Sequence, residues 1–307
     1  MKVSEKLGQC QILHPLESSF ELRKANRLSA VHSSLAIEGN TLTFEQVEKL
    51  YDHIPVLGPQ RDQIECKNAL SVYETLETLD PYSLDSFLKA HAMMMQGLIA
   101  QPGELRKSQV GIKKGGRVVH MAPPSDRVEW LMKDLFNYAY HSSDHLVIKS
   151  CVVHYELEFI HPFCDGNGRM GRLWQTLLLY KYNALFEYIP VESIIKMHQD
   201  QYYEVLEQCD NEGSSTKFIE FMLQSIVSSL DMLIGSCKQV TLNYQDRIII
   251  FKNNFVGKFF TRKDYLAYFK TISSATASRD LSKAVLAGIV IKEGAFNSSH
   301  YYFSDKH

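Results

Sequence analysis

Apolar residues recur at three- and four-residue spacing along most of this chain, and that period predicts helices. From Phe20 to Tyr51, Leu28, Val31 and Leu35 form one stripe, Gly39 is a natural helix stop, and Thr43 with Gln46 fits a capping box for the next helix. The same spacing predicts helices over Gln60 to Leu79 and Leu84 to Leu98. The stretch GELRKSQVGIKKGGRVVHM, beginning at Gly103, breaks the pattern, because two β-prone runs flank a Lys-Lys-Gly-Gly turn and predict a hairpin. A lone hairpin is marginal unless it packs on something, so a functional flap is expected there. Helical spacing resumes at Ser125, read as an N-cap. His145 to Ile160 is apolar on most sides and predicts a helix buried in the middle of a bundle, leading straight into HPFCDGNGRMGR. Helices over Leu173 to Tyr182, His198 to Gln208 and Lys217 to Ser236 follow.

From about Asn243 the composition shifts. Ten Lys and Arg stand against five Asp and Glu from residue 245 onward, so this part carries about +5 and the rest about −7. Its order is helix (Arg247 to Asn253), a Phe-Phe-Thr step, helix (Arg262 to Phe269), helix (Ser274 to Ala287), then strands Ile289 to Lys292 and His300 to Phe303. Three helices closed by a hairpin predict a small winged-helix-like module behind a linker near Gly235 to Thr241. The expected architecture is therefore mainly α. A helical N-terminal region occupies 1–84, a central helical bundle with a short β-hairpin flap 85–226, a helix end and linker 227–242, and the winged-helix-like module 243–307.

The remaining composition excludes more than it identifies. A net charge of −2 over 307 residues gives no chain-wide attraction to nucleic acid or acidic membranes. The first residues lack the apolar core of a signal peptide and no apolar run reads long enough to span a bilayer, which points to the cytoplasm and to no membrane partner. The six cysteines (Cys10, Cys66, Cys151, Cys164, Cys209, Cys237) contain no C-x-x-C pair, so reduced, mostly packed thiols are expected.

Chemistry concentrates in His161 to Arg172. Glycines let successive backbone N–H groups converge, and a helix start adds unpaired donors, so Gly166, Asn167 and Gly168 form a candidate phosphate cradle. Arg169 and Arg172, three apart, suit a polyphosphate. Asp165 beside the cradle suits a divalent cation bridging phosphate oxygens, usually Mg²⁺. His161 titrates near neutrality and is the candidate general base. A tight loop with a packed histidine and two surface arginines is the structural alternative.

HPFCDGNGRMGR resembles, at every fixed position, the signature of the Fic family, whose members are mostly helical and transfer AMP from ATP to a hydroxyl of a target protein, releasing pyrophosphate. The resemblance implies His161 as catalytic base, Asp165 as Mg²⁺ ligand, and Gly166, Asn167, Gly168, Arg169, Gly171 and Arg172 as nucleotide-binding residues, with Arg169 on the β-phosphate and Arg172 on the γ-phosphate. The run Val118, Val119, His120, Met121 resembles the family's target-docking flap, which pairs with an extended target segment; an exposed edge guarded by Lys113 and Lys114 is the alternative. QYYEVLEQCDNEG resembles the helix over the nucleotide base, with Tyr203, Leu206 and Asp210 on one face.

An inhibitor is also legible. After Leu28, Val31 and Leu35 the next place on the buried stripe is Glu38, a carboxylate that needs a partner there. Ser34 to Gly39 resembles the Fic inhibitory motif in its N-terminal position, which implies that Glu38, with Ser34, occupies Arg172 in the resting state. The implied protein is a self-inhibited adenylyltransferase with ATP and an unidentified protein as partners; automodification and a homodimer are compatible with it. A DNA-binding regulator whose Fic part senses nucleotide, and removal of AMP by the same site, are the alternatives. On the terminal module Arg279 and Lys283 make a thin DNA surface, so protein interaction or packing is the favoured reading there.

Overall fold

In a computed structural model, the structure describes residues 2–13, 20–114, 117–239, 244–255, 259–269, 272–294 and 299–304. It is mainly α: α1 (Lys2–Leu13), α2 (Phe20–Ile37), α3 (Phe44–Tyr51), α4 (Gln60–Glu74) and α5 (Leu84–Met94) precede the hairpin β1 (Gly111–Lys114) and β2 (Arg117–Met121). Then come α6 (Ser125–His141), α7 (Leu146–Ile160), α8 (Asn167–Tyr182), α9 (Val191–Met197), α10 (Gln199–Glu212) and α11 (Thr216–Gln239). The chain closes with α12 (Tyr244–Asn254), α13 (Arg262–Tyr268), α14 (Ser274–Leu286), β3 (Val290–Glu293) and β4 (His300–Phe303). Two compact units result, one formed by residues 1–12 and 19–234 and the other by 235–307 with 13–18.

In the larger unit α7 and α8 form the central pair. Val153, Leu157 and Ile160 of α7 meet Met170, Leu173, Trp174 and Leu177 of α8 in one core with Phe87 and Phe163, all essentially inaccessible to water. Trp174 packs edge-on to Phe87, which stacks on Phe163, so the core reaches directly under the loop between the two helices. The same core holds Leu28, Val31 and Leu35, the stripe expected of α2. The Thr43–Gln46 capping box is present at α3.

Several boundaries differ from the periodicity. Ser125 is the first helical residue, with Pro124 at the cap position in a non-helical conformation set by its ψ of 141°. The helix expected from Leu173 begins at Asn167, since the Gly-rich loop itself winds into the first turn. Past Glu74 the chain tightens into a 3-10 turn, Leu76–Thr78, rather than continuing as α-helix. α1 and α9 were not anticipated. Within α11, Thr216–Gly235 is long and apolar enough to cross a bilayer by length and composition, which corrects the expectation that no run is. Half of it is buried within the protein, and its Phe218 packs against His154, Tyr155 and Tyr202 as a core side chain does.

The smaller unit has its own core of Ile248, Phe251, Phe260, Tyr265, Leu281 and Val290. β3 and β4 pair antiparallel, and Phe260 bridges to Tyr301, so the Phe-Phe-Thr step adds a third short edge. Asp280 faces inward, where Arg247 grips it through Nε at 2.6 Å and Nη2 at 2.9 Å. Of the two candidate DNA contacts, Arg279 is exposed and Lys283 lies over the Tyr244 ring, 5.1 Å from its centroid. Four described cysteines, Cys10, Cys66, Cys151 and Cys209, are buried and in no disulfide, while Cys164 is exposed; the side chain of Cys237 lies outside the described residues.

Candidate active site

α7 ends at Ile160, and the chain turns because His161 adopts a left-handed conformation (φ 50°, ψ 61°) that non-glycine residues seldom take. Its Nδ1 lies 3.4 Å from the Glu158 carbonyl, which sets the ring with that nitrogen toward the helix end. Asn167 then closes the loop: its Oδ1 accepts from Phe163 N–H at 2.8 Å and its Nδ2 donates to Phe163 O at 2.9 Å. The Asn167 side chain is thus occupied in shaping the loop, and its backbone N–H lies in the first turn of the helix that follows. Gly166 caps α8 with φ 87° and no side-chain cap bond, leaving the first-turn N–H groups as an anion-binding end. A Cβ at Gly166 would meet Met95 Sδ at 2.8 Å, so glycine is required for contact as well as for conformation.

Beneath the loop lies His91, fully buried and stacked on Phe163 at 3.5 Å. Gly103 N–H donates to its Nδ1 at 2.8 Å, so Nε2–H donates to the Asp165 carbonyl at 3.0 Å. Burial pushes this imidazole down to about 4, consistent with a neutral ring that supports the loop.

The charged groups divide between two directions. Arg172, 1% exposed, donates from Nη2 to Glu38 Oε1 at 2.6 Å, from Nε to Ser34 Oγ at 3.0 Å and from Nη2 to Ser34 O at 3.2 Å. Burial opposes its charge, but the Glu38 carboxylate, with Tyr202 and Glu158, more than reverses that and raises its pKa. Glu38 lies just past the end of α2 with its side chain 30% exposed, so the buried carboxylate expected from the stripe is a partly open one resting on a buried cation. Gly168 leaves room for it, since a Cβ there would sit 2.5 Å from Glu38 Oε1.

Arg169 points the other way, toward α4. It donates to Asp165 Oδ1 at 2.9 Å and to Glu65 Oε1 at 3.3 Å, while its buried Nε has no partner among the described residues. Asp165, 41% exposed at its side chain, also accepts from Gly166 N–H at 2.7 Å and from Arg61 Nη2 at 3.3 Å. Among the described residues no cluster of three or more His, Cys, Asp or Glu could hold a metal. A divalent cation therefore fits only with Asp165 as one ligand and phosphate and water oxygens as the others, the usual donor set of Mg²⁺ on a polyphosphate.

Not every expected residue converges here. Gly171 faces α7, where a Cβ would lie 2.8 Å from His154 and 3.0 Å from Glu158, so it permits close helix packing. Tyr203, Leu206 and Asp210 share a half-buried face of α10, next to the buried Tyr202 and Cys209. The Tyr203 phenol is pushed up by burial and by the Glu38 carboxylate. Asp210 accepts from Tyr155 Oη at 3.0 Å, a bond the sequence did not announce. β2 runs against α10, and a bulge interrupts the hairpin between Ile112 and Lys113. The side chains of Val118, Val119, His120 and Met121 lie outside the described residues.

Sequence reasoning missed Arg61, Glu65, His91 and Arg106. Asn40 carried one available signal. Directly after Gly39, it donates to Glu65 Oε2 at 2.9 Å, tying the loop behind Glu38 to the carboxylate that holds Arg169.

A family model described as Fic/DOC matches residues 81–179, which include the whole of the His161 loop and exclude Glu38. The chain is 29% identical over 236 residues to the protein adenylyltransferase Fic of Drosophila willistoni, covering 71% of this chain and 44% of that protein, so it spans less than half the length of such curated relatives. Among solved structures it resembles a Fic family protein from Desulfovibrio desulfuricans G20, at 36% identity and a TM-score of 0.75, covering 100% of this chain and 94% of that one. A Fic domain containing signalling protein from Bacteroides thetaiotaomicron VPI-5482, 20% identical with a TM-score of 0.66, shares the fold over 79% of this chain and 100% of that one.

Proposed function

This chain belongs to the Fic/DOC family, and from that premise we propose that it is a self-inhibited protein adenylyltransferase, moving AMP from ATP to a Ser, Thr or Tyr hydroxyl of a target protein. The observation that carries the reading is the pairing of Glu38 with Arg172 at 2.6 Å, on the same helix whose N-terminus and preceding loop hold Arg169, Asp165 and His161. A buried arginine is costly without a carboxylate partner wherever it lies; what favours regulation is that this carboxylate stays partly open to solvent on a cation beside an anion-binding helix end.

The target hydroxyl loses its proton to His161 Nε2 as its oxygen bonds to the α-phosphorus. The bond from that phosphorus to the bridging oxygen breaks, and pyrophosphate leaves. His161 is suited to the proton because its other nitrogen faces the Glu158 carbonyl. The N–H groups of the first turn of α8 would cradle the phosphates, and Arg169, held at the start of that helix by Glu65 and Asp165, would add its charge to them. Mg²⁺ on Asp165 would supply neutralisation of charge spreading over the phosphate oxygens. In the resting state Glu38 holds the arginine that the γ-phosphate requires, so ATP is not set in line.

ATP labelled at the α- or γ-phosphate tests the reading. Label from the α-position should become covalently attached to protein and label from the γ-position should not. Glu38→Gly should raise α-transfer by roughly ten- to a hundredfold, because a charge-assisted bond is worth about 1.5 to 3 kcal/mol and each ~1.4 kcal/mol is a factor of ten. Glu38→Gly combined with Arg172→Ala should lose most of the gain. Equal activity in wild type and Glu38→Gly at matched folding would refute the inhibitory role, and γ-label on protein would refute adenylyl transfer itself.

A further inference from the structure

Arg106 is only 3% exposed and, among the described residues, makes no ion pair. Its guanidinium hydrogen bonds all go to backbone carbonyls: Nε to His161 O at 2.7 Å, Nη1 to Ser108 O at 2.9 Å, and Nη2 to Pro123 O at 2.6 Å and Ile160 O at 3.2 Å. Its own N–H donates to Pro162 O at 2.9 Å. Burial draws the guanidinium down from its usual range, but an arginine remains charged in such a site.

These four carbonyls are not a random set. Ile160 and His161 are the negative end of α7, which favours a cation there. Ser108 and Pro123 flank the segment that contains the hairpin, so one planar group closes the neck of the flap and fastens it to the left-handed turn at His161. A buried cation without a carboxylate partner is costly, and apolar packing would stabilise a loop junction at less expense. The planar fork offers something packing does not, a fixed angle and distance among four backbone points.

We propose that Arg106 is a positioning residue that sets the register between a target segment on the flap and the imidazole of His161. This rests on the transfer reading above. Arg106 touches neither nucleotide nor target; it acts through the backbone on both sides of the reacting atoms. A lysine keeps the charge but replaces the fork by a single ammonium that cannot bond all four carbonyls in their present geometry. Misplacement by about an ångström is enough to cost on the order of a hundredfold in rate.

The test is made on the full chain in the Glu38→Gly background, scoring transfer of α-labelled AMP to the chain itself and to proteins of a cell lysate. Arg106→Lys should lower the rate at saturating ATP by about a hundredfold while the Kd for Mg·ATP, measured by calorimetry, changes less than threefold. Millimolar guanidinium ion should restore part of the rate to Arg106→Gly, and tetramethylammonium should not. A wild-type rate in Arg106→Lys, a parallel loss of ATP affinity and rate, or unfolding of both variants would assign Arg106 to stability alone and overturn the proposal. His161→Ala separates the two readings. If its loss leaves transfer intact, the transfer mechanism fails; if it abolishes transfer while Arg106→Lys does not, only the positioning role fails.

Discussion

Glu192 sits 1% exposed beside a cavity of about 30 Å³, room for little more than a water. Its Oε1 accepts from Tyr73 Oη at 3.1 Å and Thr176 Oγ1 at 2.7 Å, whereas Oε2 has no partner among the described residues. Burial raises its pKa against the opposing hydrogen bonds, so the folded protein holds the proton more tightly than the unfolded chain. A carboxyl whose folded pKa is raised contributes stability that is complete below the ordinary carboxylate range and is lost as pH rises through the folded value. Glu192→Gln keeps the acceptor for Tyr73 and Thr176 and carries no charge. It should therefore be more stable than wild type at pH 7, by about 1 kcal/mol on the scale of one buried polar group, with the difference vanishing below about pH 4. Denaturant midpoints across that range measure it, and a less stable Glu192→Gln at pH 7 would show that the ionised carboxylate has a partner of value.

α7 and α8 approach closely at one point, and Gly171 is where they do so. Alanine there gains about 1 kcal/mol in helix propensity, but its Cβ would fall 2.8 Å from His154 Cδ2 and 3.0 Å from Glu158 Oε1. Neither neighbour yields easily. His154 bonds Gln175 Oε1 at 2.7 Å, and Glu158 accepts from Tyr202 Oη at 3.1 Å. Overpacking costs about 1 to 3 kcal/mol, so Gly171→Ala should lower stability by about 1 kcal/mol net, read as a shift in midpoint at constant m-value. A stabilised variant would mean that the helices slide apart without penalty. The place of α7 was legible because a helix apolar on most sides has only one place in a bundle. What periodicity left out was α9, whose Lys196 donates to Ala36 O at 2.8 Å and so seats the end of α2; a polar contact between distant elements leaves no period in either.

At the scale of the whole molecule the two units each carry a closed core, and the ion pair of Arg247 with Asp280 belongs to the smaller one alone. Asp280 also accepts from Tyr265 Oη at 3.3 Å. Removing one member of a buried pair typically costs about 3 to 5 kcal/mol, a large share of what so small a core provides. Asp280→Ala should thus lower or abolish the unfolding transition of residues 244–304 in calorimetry while the transition of the larger unit stays in place. A single shifted transition for the entire chain would show that the two units unfold together.

The sequence by itself determined the helical class, the hairpin, the order of elements in the smaller unit and the loop from His161 to Arg172. These are local properties: a repeat of apolar positions, a Gly-Gly turn, and a dense run of phosphate-compatible groups are written in neighbouring residues. It also singled out Glu38, because a carboxylate interrupted an otherwise apolar stripe. Tertiary structure alone decided what those groups meet. The Asn167 side chain shapes the loop, Arg169 is shared by Glu65 and Asp165, and Gly171 serves helix contact. Arg106 reads in sequence as one arginine ahead of a hairpin, and only folding brings Ser108, Pro123, Ile160 and His161 around it. The physical reason is that its partners are backbone carbonyls, which every residue carries and no side-chain pattern reveals.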